Sequence, residues 1–361
     1  MQQINALFTV PDGSTHIRNK YRALLRASAH LIKSREDQKK VRKALEMLVD
    51  CLGDTRTITG ESSVIHALSV ARMVVEEMGL GLSSLIAAIL HDCAGRIDLA
   101  DKNLEKIFGV NVMKVLKGLS NIENIETARS TYQAENFLKL ILSLAEDIRV
   151  ILIKLVERLE YMRKLGGAKS DLRLRLASES YFLYAPLAHR LGLYKLKSEM
   201  EDRAMMYLDP AAYRMIEQKL KQTTSSRNRL IRDFSLPLKK ELDSNNIKYQ
   251  IRGRTKSIHS IWQKMKRQGV EFEEVYDVFA IRIILDTERV KEKAECWKVY
   301  SLVTDLYQPN PSRLRDWISV PKSNGYESLH TTVIGPRNKW VEVQIRSTRM
   351  DNIAEKGLAA H

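Results

Sequence analysis

Apolar positions along the first 165 residues recur every three or four places, the period of helices that bury one stripe. VRKALEMLVDCL, VIHALSVARMVVEEMGL and LSSLIAAILHD all follow it, with Gly or Asp/Thr breaks between them. The clearest stretch is 145–165, where Ile148, Ile151, Leu152, Leu155, Leu159 and Met162 form one stripe and Gly166-Gly167 ends it. Helical spacing continues through 170–208 and stops at Leu208-Asp209-Pro210, where the proline blocks continuation. A further helix is predicted over 211–234, closed by Leu236-Pro237.

Beyond Pro237 the period shortens. Alternating or β-branched runs predict strands at 246–251, 275–285, 326–334 and 340–346, with helices at 257–268 and near 290–306. All four tryptophans, Trp262, Trp297, Trp317 and Trp340, lie in this part. The pattern therefore predicts an all-α N-terminal half, a basic helical bridge and a C-terminal α+β domain. Neither an internal repeat nor a low-complexity segment is present in the sequence.

Composition narrows the class. A chain of 361 residues is long enough for two cores, and no apolar run approaches the ~20 residues of a membrane span. The N-terminus lacks a basic region followed by an apolar stretch, so no signal peptide is expected. Cys51, Cys93 and Cys296 are far apart and form no CxxC pair, which fits a reducing cytoplasm and argues against a thiolate zinc site. The net charge of +15 is uneven, because Arg214–Arg267 holds 15 Lys/Arg against 4 Asp/Glu. Such a segment favours polyanions, either nucleotide phosphates or nucleic acid.

The candidate chemistry lies between 251 and 347, although the chain has no Walker A loop. In KWVEVQIR, alternation sets Val341, Val343 and Ile345 opposite Glu342, Gln344 and Arg346. In YESLHTTV, Tyr326, Ser328, His330 and Thr332 share a face opposite Leu329 and Val333. The turn PKSNGY offers Lys322 as a phosphate cation, Asn324-Gly325 as a tight turn, and the Tyr326 ring for stacking on a base. Arg254 and Lys256 precede a helix start, which favours phosphate, and Ser260, Lys264 and Lys266 extend the polar supply along that helix. Asp277 opens a strand, a usual place for a carboxylate that holds Mg²⁺. Arg282 follows five residues later, on the opposite face of a regular strand, so either the strand begins after Asp277 or a bulge intervenes.

GRTK(x)₃S, YDVFAIRI, PKSNGYESLHTTVIG and EVQIR, in this order and spacing, resemble the synthetase domain of long RelA/SpoT homologues over about 240–361. LAHRLGLYKLKSEMEDRAMMYLDP (187–210) is similar to the inter-domain segment of that family. The resemblance implies transfer of the β,γ-pyrophosphate of ATP to the ribose 3′-hydroxyl of GDP or GTP, making (p)ppGpp. It makes Asp277 a Mg²⁺ ligand and Glu342 the base for the 3′-hydroxyl and a second metal ligand. Arg254 and Arg282 would pack on adenine, with Lys256, Ser260, Lys264 and Lys266 on its phosphates. Tyr326 would stack on guanine, with Lys322, Asn324, His330 and Gln344 around the acceptor nucleotide. RLRD (313–316) resembles the basic loop of bifunctional members, with Arg315 in place of Lys.

The implied fold is an all-α HD-type domain plus an α+β nucleotidyltransferase-like synthetase domain with a mixed β-sheet. Expected boundaries are 1–195, a basic helical linker at 196–240, and 241–361. His66 and His91-Asp92 resemble the ligands of HD-type phosphohydrolases, which in this family use Mn²⁺ to remove the pyrophosphate again. Departures are informative: HDCAGRID puts Gly95-Arg96 where active members carry Glu-Asp, and ERLEYMR puts Glu157 for the metal-binding Asp and Tyr161 for an Asn. TITGESS (57–63) replaces the guanine-reading stretch. These changes count against Mn²⁺ in the N-terminal site and predict an inactive hydrolase domain kept for regulation. Two alternatives stand beside that expectation: a bifunctional synthetase/hydrolase that recruits other carboxylates, and a non-catalytic RNA- or ribosome-binding module. The chain stops at GLAAH, inside a motif, so a longer protein is expected, with ribosome and tRNA contacts in the absent C-terminal region.

Overall fold

The computed structural model describes residues 14–127, 147–275 and 277–357. The expected helical stretch over 128–146 and Tyr276 of the YDVFAIRI strand lie outside the described residues. The chain divides into two compact units, Met1–Leu187 and Ala188–His361.

The first unit is helical. Its described helices are α1 (Ser14–Ser28), α2 (Arg35–Leu52), α3 (Ser63–Glu76), α4 (Leu82–Ile89), α5 (Lys102–Phe108), α6 (Val110–Thr127), α7 (Ile148–Lys164) and α8 (Ser170–Glu179). A capping box starts α2: the Ser34 hydroxyl accepts from the Asp37 N–H at 3.0 Å while the Asp37 carboxylate accepts from the Ser34 N–H at 2.9 Å. The helix α3 is apolar nearly all round, with Val64, Leu68, Val70, Ala71 and Val74 buried, so it runs through the centre of the unit and carries His66 there. The stripe expected on α7 is broader than alternation in the sequence suggests. Ile151, Leu152, Leu155, Leu159 and Met162 are buried, joined by Val150, Ile153 and Val156, while Ile148 is exposed.

The helix expected to run unbroken over 170–208 is interrupted. After α8 come a wide turn at Ser180–Tyr184, α9 (Ala185–Arg190), and α10 (Tyr194–Leu208), with Gly192 at φ +75° making the bend. Two helices then replace the one expected over 211–234: α11 (Pro210–Gln222) and α12 (Thr224–Ser244). Pro237 lies inside α12 rather than closing it. Leu230, Phe234, Leu238 and Leu242 are spaced four apart and buried against the sheet. Burying each contributes roughly 1.5–3 kcal/mol, together more than the ~3 kcal/mol an interior proline costs. The proline sits on the exposed side, and the Tyr307 hydroxyl donates to the nearby Phe234 carbonyl at 2.8 Å. Segment 196–240 is thus no free-standing linker, because much of it supplies the core of the second unit.

Five strands form a mixed sheet in the order β1-β2-β5-β4-β3: β1 (Tyr249–Thr255), β2 (Phe279–Leu285), β3 (Arg315–Asp316), β4 (Leu329–Gly335) and β5 (Lys339–Ser347). The pair β2–β5 is parallel and the others are antiparallel. One face carries Ile281, Ile283, Val333, Val341, Val343 and Ile345, packed on α12 and on α14 (Glu292–Leu306). At Gly335 a Cβ would lie 2.9 Å from Val341 and 3.1 Å from Phe234, so only glycine admits this close packing of α12 on the sheet edge. The opposite face is polar. Register places His330 beside Gln344, Thr332 beside Glu342, and Arg282 beside Gln344. The remaining helices are α13 (Ile258–Gln268), which packs through Ile258, Ile261 and Met265 on Met205 and Ile216, and α15 (Thr348–Lys356).

Candidate active site

Asp277 sits in the turn before β2, which begins at Phe279; of the two possibilities open in the sequence, the strand starting after Asp277 is the one observed. The Lys256 N–H donates to the Val278 carbonyl at 2.9 Å, tying the end of β1 to that turn. Both Lys256 and Lys264 donate to the same Asp277 oxygen, and Lys256 Nζ also lies 3.0 Å from Glu342 Oε2. A lysine therefore joins the two carboxylates, which reach it from different elements. Burial would raise the Asp277 pKa, but the two ammonium groups outweigh it and hold the carboxyl below the usual range. Burial would likewise raise Glu342, yet His330 and Lys256 hold it well below. Burial works against the Lys256 charge, and the two carboxylates more than restore it; Lys264 stays below the ordinary lysine value.

Glu342 also accepts from Gln344 Nε2 at 2.8 Å and faces His330 Nδ1 at 3.4 Å. The Tyr326 hydroxyl lies 2.8 Å from His330 Nε2. One consistent assignment has Tyr326 donating to Nε2 while Nδ1–H points at Glu342. Burial depresses the His330 pKa, in keeping with that neutral ring. Lys322 Nζ sits 4.1 Å from the Trp317 ring centre and 5.1 Å from that of Tyr326, so its ammonium covers an aromatic corner. Gly325, at φ +76°, makes the turn expected at Asn324-Gly325, and Asn324 Nδ2 donates to the Tyr194 hydroxyl at 2.8 Å. A cavity of about 380 Å³ opens on Asp277, Glu342, His330, Thr332, Arg313 and Arg315.

The structure thus gathers Lys256, Lys264, Asp277, Glu342, Gln344, His330, Tyr326 and Lys322. Others stand apart. Arg282 is 5% exposed and engaged by Asp351 at 3.2 Å and Glu355 at 2.8 Å, whereas Arg254 is exposed on the edge strand. Lys266 Nζ lies over the Trp262 ring at 4.6 Å, and the Ser260 hydroxyl accepts from Ser257 at the cap of α13. Arg313 was not singled out from the sequence; its only signal is the basic RLRD run.

In the first unit, His66, His91, Asp92 and Glu157 bring ligand atoms within 4.8 Å of one another. His91 Nδ1 donates to the Ala88 carbonyl at 2.8 Å and His66 Nδ1 meets Glu160 at 2.6 Å. In both rings Nε2 is buried with no hydrogen-bond partner. A carboxylate or carbonyl on one ring nitrogen, leaving the other to a cation, is the usual outer support of a metal-binding histidine. Burial opposes ionisation of Glu157, but Lys154 and His91 bring its pKa down to about 2, so it offers a charged oxygen. The donor set fits a divalent transition metal such as Mn²⁺. Glu160, which sequence reasoning passed over, is buried between His66 and Lys164. Tyr161 stacks on His66 at 4.3 Å. Arg96 does not line the cavity there; it is directed to the Cys51 carbonyl at 3.5 Å.

A helical unit with a His/Asp/Glu cluster and a mixed-sheet unit with a lysine-bridged carboxylate pair define a protein of the HD plus nucleotidyltransferase-like kind. Residues 44–194 match the HD domain, and 253–361 match the region found in RelA / SpoT proteins. The guanosine-3′,5′-bis(diphosphate) 3′-pyrophosphohydrolase of Vibrio cholerae is 40% identical over 310 residues, 86% of this chain and 43% of that protein. The bifunctional (p)ppGpp synthase/hydrolase SpoT of Escherichia coli is 38% identical over 90% of this chain and 46% of its own. The GTP pyrophosphokinase of Myxococcus xanthus is 36% identical over 84% and 40%. The chain belongs to the RelA/SpoT family and spans less than half the length of these relatives.

Proposed function

We propose that the second unit transfers the β,γ-pyrophosphate of ATP to the 3′-hydroxyl of GDP or GTP. The observation that carries the reading is the Asp277–Lys256–Glu342 arrangement at the mouth of a cavity lined by Arg313, Arg315 and His330. In this reaction the 3′-oxygen bonds to the β-phosphorus, the bond from that phosphorus to the α,β-bridging oxygen breaks, AMP leaves, and the hydroxyl proton goes to Glu342. A carboxylate held so acidic is a poor base at rest. ATP phosphates that draw Lys256 away would restore its basicity when substrate is in place. Lys264, Arg313 and Arg315 would offset phosphate charge, and the Tyr326–Trp317 corner would receive guanine. Asp277 and Glu342 are hard-oxygen donors suited to Mg²⁺, which when bound supplies further neutralisation of the transferring phosphates.

For the first unit, Gly95-Arg96 and Tyr161 support a site without turnover. The convergence of His66, His91, Asp92 and Glu157 favours a second reading, a Mn²⁺-dependent pyrophosphohydrolase acting on the product of the first reaction. One relative named as a 3′-pyrophosphohydrolase and another named as a bifunctional synthase/hydrolase support that reading. The test is to incubate the chain with ATP, GDP and Mg²⁺, and separately with ppGpp and Mn²⁺. A folded chain inactive in both, yet binding RNA with a steep salt dependence, would instead favour a binding module.

A further inference from the structure

We infer that Glu123 supplies the carboxylate that the Gly95-Arg96 segment lacks, and that it activates water for cleavage of a nucleotide 3′-diphosphate in the first unit. The inference rests on the hydrolase reading above and names the group that reading was missing.

Two observations carry it. A Cβ built on Gly95 would lie 3.2 Å from Glu123 Oε2, so the carboxylate of a residue on α6 fills the space that a side chain at 95 would enter. Glu123 also lines the same cavity of about 160 Å³ as His91, Asp92, Lys154, Glu157 and Tyr161. Gly95 leaves the Glu123 carboxylate room, because a Cβ at 95 would press on it and a longer side chain would compete for the same space. The cavity also has independent marks of a ligand site: His66 is fully buried and His91 is 5% exposed, and each directs an Nε2 without a hydrogen-bond partner into the four-residue cluster.

The chemistry balances without a further reactant. The water oxygen bonds to the phosphorus attached to the ribose 3′-oxygen, and the P–O3′ bond breaks. One water proton passes to Glu123 and is returned through solvent to the 3′-oxygen, which leaves as a hydroxyl, so pyrophosphate and the 5′-nucleotide are released. A positioned carboxylate contributes about 10²–10⁴-fold to such a step.

The experiment compares wild type, Glu123→Gln and Gly95→Glu/Glu123→Ala. It measures Mn²⁺ affinity by electron paramagnetic resonance and pyrophosphate release from ppGpp across pH. Expected are a Mn²⁺ affinity unchanged within a few-fold, a loss of about 100-fold or more in Glu123→Gln together with its acidic pH limb, and partial recovery in the double variant. Wild-type turnover with full activity in Glu123→Gln overturns the role of Glu123 and leaves the hydrolase reading standing. Loss of activity in step with lost Mn²⁺ affinity makes Glu123 a ligand and overturns its role as base. A wild type that binds Mn²⁺ without releasing pyrophosphate removes both.

Discussion

Lys256 Nζ lies 3.0 Å from Glu342 Oε2 and at the same time donates to Asp277, so a single side chain bridges both acids of the proposed synthetase site. Replacing it by an apolar residue of similar length leaves half-buried Glu342 without its ammonium partner and Asp277 with Lys264 alone. Lys256→Met is expected to destabilise the second unit by about 3–5 kcal/mol, the usual result of removing one partner of a buried pair. Urea denaturation monitored by tryptophan fluorescence reads this directly, because all four tryptophans lie in that unit.

The same contacts set a pH dependence. Asp277 and Glu342 have folded pKa values below their unfolded ones, near 4, so they stabilise fully above about pH 5. That contribution is lost as pH falls through the folded values. Lys256 is shifted upward, so its contribution is present at neutral pH and lost as pH rises through its folded value. Stability should therefore hold a plateau from about pH 5 to 10. In Lys256→Met the carboxylates lose an ammonium that holds them acidic, so the fall in stability below about pH 5 should shrink, as measured by denaturation midpoints across pH.

Activity should separate the two acids. Glu342→Gln keeps the shape and the Gln344 contact but removes the base, and should lower kcat for pyrophosphate transfer by about 10²–10⁴-fold. Asp277→Asn should in addition raise the Mg²⁺ concentration needed for half-maximal rate. Steady-state assays titrated with Mg²⁺ distinguish these outcomes.

At the proposed guanine corner, Tyr326→Phe retains the ring and loses only the contact with His330, so KM for GDP should change less than about threefold. Tyr326→Ala removes the stacking surface, worth about 1–3 kcal/mol, and should raise KM by roughly tenfold or more. Equal effects from both variants would show that the hydroxyl, and not the ring, matters.

Glu160→Gln tests the metal cluster from outside its ligands. Without the anionic acceptor at 2.6 Å, His66 should orient less firmly, weakening Mn²⁺ binding by about 10–100-fold. Calorimetric titration with Mn²⁺ measures it, and unchanged affinity would mean that His66 is placed by packing against Tyr161 alone.

Much of this was legible in the sequence because it follows simple periods. Alternation along β5 separated Val341, Val343 and Ile345 from Glu342 and Gln344, as the structure has them. The HD segment and the Asn324-Gly325 turn were equally readable. What escaped depended on partners far along the chain. Nothing near Arg282 in the chain indicates that Asp351 and Glu355, about 70 residues later, pair with it. Pro237 reads as a stop until the sheet beneath Phe234 and Leu238 is in view. Gly95 reads as a deletion of chemistry, since nothing local indicates that a glutamate 28 residues on reaches the same space.

The two-sided sheet has a further consequence for how the second unit folds. Sliding β5 by one residue against β2 would drive Glu342, Gln344 and Arg346 among the isoleucines and expose three β-branched side chains to water. The groups proposed to handle substrate thus also penalise mispairing. Variants that make this face apolar, as is common when charge is removed to capture an inactive complex, would lose that proofreading. They should refold as mixtures of strand alignments, and a partly active preparation of such a variant would report heterogeneity in pairing instead of residual catalysis.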